Sequence, residues 1–223
     1  MKQERQVLVI FPHPDDEAFG VSGTISAHRA QGTPVTYACL TLGEMGRNLG
    51  NPPFATRESL PKIRKNELLQ AAQAMDIQDL RMMRLRDKTL EFEEDEKLKQ
   101  MVIDLVEELN PSLVISFYPG YSVHPDHEAT ARAVVAALAE LPPAKRPVLH
   151  CLAFSNGHEE EIGEPDMIHD VSAYAEQKKD AMRAHLSQTA WMLADMEPKW
   201  NDGDPEALAW LQRERFWTYR FDD

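Results

Sequence analysis

Two short turns hold more ionisable groups than a solvated loop requires. The first lies in F-P-H-P-D-D-E-A-F-G-V-S-G at 11–23 and carries His13, Asp15 and Asp16. The second lies in P-G-Y-S-V-H-P-D-H at 119–127 and carries His124, Asp126 and His127. Carboxylates this close disfavour one another's ionisation unless a cation offsets them. Imidazole with carboxylate is ligand chemistry for zinc, and also for ferrous iron. His13, Asp16 and His127 give two nitrogens and one oxygen, which leaves a fourth position for water, the pattern of a catalytic zinc site. Asp15, beside a ligand but aimed elsewhere, is the candidate general base. His124 is placed to stabilise an oxyanion, and Asp126 to hold it protonated and correctly turned, because a neighbouring carboxylate raises an imidazole pKa. One H-P-D turn is equally well explained as a capped helix start. Two of them in equivalent places point to one shared ion.

Strands must deliver both turns. Val7-Leu8-Val9-Ile10 and Leu113-Val114-Ile115-Ser116-Phe117-Tyr118 are apolar runs of the kind buried on both faces of a parallel sheet. Each empties into its turn, and a helical pattern follows: small residues to Ala30 in the first case, and Val134, Ala137, Leu138 and Leu141 in the second. With a strand over 35–42, the first unit is βαβ with a right-handed crossover. The periodicity predicts further helices over 57–75, 93–109 and 173–189, and strands over 80–85 and 148–154. The fold expected is therefore α/β: a single domain with a Rossmann-like, mostly parallel sheet, helices on both faces and the active site at the strands' carboxyl ends. The loop 43–54, with three glycines and two adjacent prolines, is a candidate lid. H-E-E-E at 158–161 reads as a solvated loop. Residues 190–223, with Trp200, Trp210, Phe216, Trp217 and Tyr219 toward their end, read as an aromatic-rich C-terminal extension, either docked or making a subunit contact.

The composition excludes several classes. A net charge of −13 over 223 residues disfavours nucleic acid or an anionic membrane as the main partner. No apolar run approaches the roughly 20 residues of a membrane span. The start M-K-Q-E-R-Q leads straight into a strand, so a cytoplasmic protein is expected. Cys39 and Cys151 sit in apolar runs and read as reduced core thiols. Neither a G-x-G-x-x-G fingerprint nor a Walker sequence supports nucleotide binding.

H-P-D-D-E near the start and H-P-D-H after a later strand resemble the PIG-L, or LmbE-like, family of metal-dependent N-acetylglucosaminide deacetylases. T-L-G-E-M-G at 41–46, R-K-N-E-L at 64–68, R-D at 86–87 and H-L-S-Q at 185–188 match further signatures in order, so the likeness spans residues 7–188. The resemblance implies zinc, with ferrous iron possible in the same site, and hydrolysis of an N-acetyl group. It gives Asp15, His124 and Asp126 the roles read above. It makes Arg64 and Asp87 the residues that hold sugar hydroxyls, while Lys178, His185 and Gln188 match a signature read here as bracing the loops. The fuller wording around these motifs is most similar to the bacillithiol-biosynthesis branch, whose substrate is N-acetylglucosaminyl malate. Glu44 and Arg47 lie in the candidate lid, and a guanidinium there suits a malate carboxylate. The partners implied are a small-molecule sugar conjugate and further copies of the chain in a homo-oligomer. Some relatives carry a tyrosine two residues before the catalytic histidine; this chain has Ser122 there and Tyr121 one place earlier. Two rival readings stay open: the two-histidine, one-carboxylate iron triad of oxygenases, and a binding module whose metal only anchors ligand.

Overall fold

The computed structural model describes residues 1–222. The strands in chain order are β1 (Val7–Phe11), β2 (Val35–Thr41), β3 (Asp79–Leu85), β4 (Leu113–Phe117), β5 (Val148–Leu152), β6 (Met167–Asp170) and β7 (Arg213–Thr218). They form one sheet in the order β3-β2-β1-β4-β5-β7-β6. The first five are parallel to their neighbours; β7 runs antiparallel to both β5 and β6.

The helices are α1 (Asp16–Gly20), α2 (Ser22–Ala30), α3 (Leu60–Ala74), α4 (Asp95–Leu109), α5 (Pro125–Ala139), α6 (His158–Ile162), α7 (Ala175–Ala184), α8 (Leu186–Asp202) and α9 (Pro205–Gln212). Side chains alternate across a strand, so β1 feeds two cores. Val7, Val9 and Phe11 pack with Ile25, Leu68 and Met182 of α2, α3 and α7, whereas Leu8 and Ile10 pack with residues of α4 and α5 such as Val102 and Val134. Every β1 residue is fully buried, which is why its sequence is a continuous apolar run.

Strand order reverses beside β1: β2 and β3 extend one way, β4 and β5 the other. In doubly wound sheets that reversal opens a crevice at the carboxyl ends. The turns after β1 and β4 meet there.

Several elements depart from the sequence expectations. The helix over 173–189 is two helices that break at His185. β5 stops at Leu152, and residues 158–161, expected as a solvated loop, lie in the short α6 (His158–Ile162). β6 and β7 were not expected. Within 190–223, β7 lies inside the sheet between β5 and β6, and Trp200, Phe216 and Trp217 are at most 5% exposed. Those aromatics pack inward because β7 covers the edge that β5 would otherwise present. Cys39 and Cys151 are buried and free, with burial pushing both thiol pKa values up. No helix among the described residues is long and apolar enough to cross a membrane.

Candidate active site

The turn after β1 is held in an unfavourable conformation. Asp15 has φ 109°, outside the region L-residues ordinarily occupy. Its backbone N–H donates to Glu17 Oε2 at 3.1 Å. Glu17 is completely buried; its Oε2 also accepts from the Tyr37 hydroxyl at 2.9 Å, and its Oε1 lies 2.5 Å from His185 Nε2. The turn after β4 has the matching device. Val123, a β-branched residue, has φ 55°, and the His124 N–H closes a three-residue turn onto Ser122 O at 2.8 Å. Glu128 steadies that turn, accepting from the Ser122 N–H at 2.9 Å and from its hydroxyl at 2.7 Å. The two motifs are thus H-P-D-D-E and H-P-D-H-E, and each terminal glutamate braces its own turn. That repeated glutamate was the signal for a role the sequence reading left unassigned.

The strained turns bring two ring nitrogens and both oxygens of one carboxylate together. His13 Nδ1 lies 3.2 Å from His127 Nε2; Asp16 Oδ1 lies 3.2 Å from His127 Nε2, and Asp16 Oδ2 lies 3.5 Å from His13 Nδ1. Ligand atoms about 2.0–2.2 Å from a tetrahedral zinc stand about 3.3–3.6 Å from one another. The spacing therefore fits a divalent ion. The far side of each ring fits as well. His127 Nδ1 is 3.0 Å from Ser122 O, so it carries the proton and Nε2 keeps its lone pair. His13 Nε2 is 3.2 Å from both Asp126 Oδ2 and Asp87 Oδ1, which leaves Nδ1 as the free donor atom. Burial disfavours a charged His13, but hydrogen bonds to Asp126 and Asp16, and then to Asp87, outweigh it and raise its pKa well above 6.5. Three carboxylates around one imidazole make this a place for positive charge. Asp16 answers the same balance: burial opposes its ionisation, yet His127 and His13 hold its pKa far below the usual carboxylate range.

Asp15 is outside the donor triangle. Its Oδ2 pairs with Arg64 Nη2 at 3.0 Å. Burial raises its pKa from 3.8 to about 6; Arg64 works against that rise and Asp16 adds to it. His124 brings a ring nitrogen within 4.8 Å of those of His13 and His127. Its Nδ1 accepts the Asp126 backbone N–H at 3.1 Å, so the neutral ring carries its proton on Nε2. Burial lowers its pKa, and His13 and His127 lower it further. The Asp126 charge works against that lowering, but its carboxylate makes no hydrogen bond to the His124 ring. It accepts from the Lys88 N–H at 2.7 Å and the Leu90 N–H at 3.1 Å and faces His13, while only the Asp126 amide touches the His124 ring.

The residues expected to grip sugar are tied to this centre. Arg64 and Asp87 are each 3% exposed. Arg64 donates to Gly43 O at 2.9 Å and to Pro14 O as well as pairing with Asp15. Gly43, at φ 61°, is required there, since a Cβ would lie 1.8 Å from Arg64 Nη1. Asp87 accepts from the Met45 N–H at 2.7 Å, and Glu44 Oε2 accepts from the Asp87 N–H at 3.1 Å. Arg47 is exposed on the loop after β2. Gln188 ties that loop to α8 through Asn48 O at 3.0 Å, and Lys178 lies elsewhere, 3.0 Å from Glu214.

Comparison with known proteins adds relatives. The model of the PIG-L family, described as GlcNAc-PI de-N-acetylase, matches residues 8–138. A Bacillus anthracis protein named as a probable N-acetyl-alpha-D-glucosaminyl L-malate deacetylase 2 is 55% identical over 223 residues, covering 100% of this chain and 99% of its own. Among solved structures, the N,N'-diacetylchitobiose deacetylase of Pyrococcus horikoshii superposes with TM-score 0.72 at 24% identity, covering 97% of this chain and 84% of its own. A 4-carboxy-2-hydroxymuconate hydratase from Pseudomonas putida superposes with TM-score 0.71 at 20% identity, covering 98% of each chain. One fold thus serves a hydrolase and a hydratase, and the reaction has to be argued from the site.

Proposed function

The chain belongs to the PIG-L family, and from that premise we propose that it is a metal-dependent N-deacetylase acting on an N-acetylglucosaminide, with N-acetylglucosaminyl malate as the substrate. Full-length 55% identity to a relative named for that substrate supports the choice of aglycone. The observation that carries the reaction is a carboxylate, Asp15, paired with Arg64 and standing beside the two imidazoles and the Asp16 carboxylate that converge from the two turns.

His13, Asp16 and His127 would hold the ion, for which we propose zinc; ferrous iron suits the same donors. When bound, such an ion polarises an acyl oxygen and brings the pKa of a water toward 7. The protein's own groups do the rest. Asp15, with its pKa pushed up to about 6, accepts a proton from the attacking water near neutral pH, and can return it to the departing amine. Arg64 limits how far that pKa rises and fixes the carboxylate's direction. His124 presents Nε2–H to the oxyanion of the tetrahedral carbon, and its neutral ring suits a donor that need not release its proton. A binding module has no use for a strained, unligated base beside its ion.

Asp15→Asn separates the readings. We expect turnover to fall about 10²- to 10⁴-fold while the metal content and the affinity for substrate persist. Retained turnover in that variant contradicts the mechanism.

A further inference from the structure

A cavity of about 570 Å³ opens beside the metal centre, with Asp16 and His127 at one end and Phe154, Trp210 and residues of β7 in its walls. The chain carries a net charge of −13, yet Lys178, Arg213 and Arg215 all line this space. Two of these cations are already engaged. Lys178 Nζ lies 3.0 Å from Glu214 Oε1, both side chains being at most 1% exposed, and the Arg215 guanidinium pairs with Glu159. Arg213 is exposed and makes no ion pair within 4 Å among the described residues; its cross-strand neighbour on β6 is the exposed Asp170, whose carboxyl pKa is lowered first by Ser172 and then by the Arg213 charge.

Its position follows from the sheet. Because β7 runs antiparallel to β5, its first residue stands at the carboxyl ends of the parallel strands, where the metal centre is. The neighbouring Glu214 is buried and accepts the Gly23 and Thr24 N–H groups at 3.0 and 2.7 Å, which fixes the backbone that carries Arg213.

Resting on the deacetylase reading above, we propose that this cavity is the aglycone subsite and that Arg213 is its carboxylate-binding residue. The enzyme then selects N-acetylglucosaminides whose aglycone is a small carboxylic acid. The acetamide and the aglycone stand on adjacent ring carbons, so a substrate with its acetamide at Asp16 and His127 places its aglycone next to them, where the cavity begins. A guanidinium matches a carboxylate in two parallel hydrogen bonds, a geometry that a point charge does not offer. Arg47, the guanidinium to which the sequence points, does not line the cavity.

The test compares metal-loaded wild type with Arg213→Gln and Arg213→Lys on N-acetylglucosaminyl malate and on the uncharged methyl N-acetyl-α-glucosaminide. For Arg213→Gln we expect kcat/KM on the malate conjugate to fall about 10- to 100-fold, mainly through KM, with less than about twofold change on the methyl glycoside. Arg213→Lys should recover part of the loss, because the charge returns without the fork. An unchanged malate reaction, or equal falls on both substrates, overturns the role of Arg213 and leaves the deacetylase reading standing. Wild type that releases acetate from neither substrate overturns both.

Discussion

His124 shows how one hydrogen bond fixes a chemical role. Because its Nδ1 accepts the Asp126 amide, the ring can offer only Nε2–H, whatever the Asp126 carboxylate does. That carboxylate hydrogen-bonds the far nitrogen of His13 instead. Asp126→Asn is therefore expected to weaken metal affinity by about 10- to 100-fold, measured by competition with a chelator, while turnover at saturating metal is largely kept. Loss of turnover at saturating metal would return the carboxylate to His124. His13, Asp16 and His127 could be read as one donor set from the sequence because each lies in the turn that an apolar strand empties into. The hydrogen-bond partners of the Asp126 carboxylate left no sequence signal: they are the amides of Lys88 and Leu90, and any residue type supplies an amide.

β7 shows what can be lost when elements are read one at a time. Arg213–Thr218 reads as a short aromatic stretch after a helix, and nothing local says that it inserts between β5 and β6. A long-range network secures it: Glu214 caps the start of α2 and pairs with Lys178 of α7. The first four strands and the helices between them were legible because each carries its own period or apolar run. At the foot of the sheet, β5, β6 and the end of α2 bring His150, His169 and His28 together, each at most 8% exposed. Burial lowers the His28 and His169 pKa values from 6.5 to about 4; the neighbouring histidines add to the effect. Between about pH 6.5 and 4 the unfolded chain binds protons that the folded chain refuses, so stability falls as pH drops through that window and is unaffected above it. Neither His28 ring nitrogen has a hydrogen-bond partner. His28→Met should then flatten the loss by at most about 3 kcal/mol, read from urea midpoints at pH 7 and pH 4.5. Parallel losses in wild type and variant would contradict this.

The whole molecule is arranged so that two turns more than a hundred residues apart share one crevice. β1 and β4 are adjacent and parallel, so both turns emerge at the same end, and the strand-order reversal leaves room between them. Each turn stores backbone strain at one non-glycine residue, Asp15 or Val123, and each is braced by a buried or half-buried glutamate. Neither turn alone could hold an ion: the first brings one nitrogen and one carboxylate, and the second brings the other nitrogen. Hydrolysis of an N-acetyl group by this shared centre is what the arrangement serves in the function proposed above. The most direct measurement is acetate release from N-acetylglucosaminyl malate by chelator-stripped protein, before and after zinc or ferrous iron is added back. Negligible release from stripped protein and restoration by stoichiometric metal are expected. Full release without metal, or none from protein shown to have its site loaded, would contradict that function.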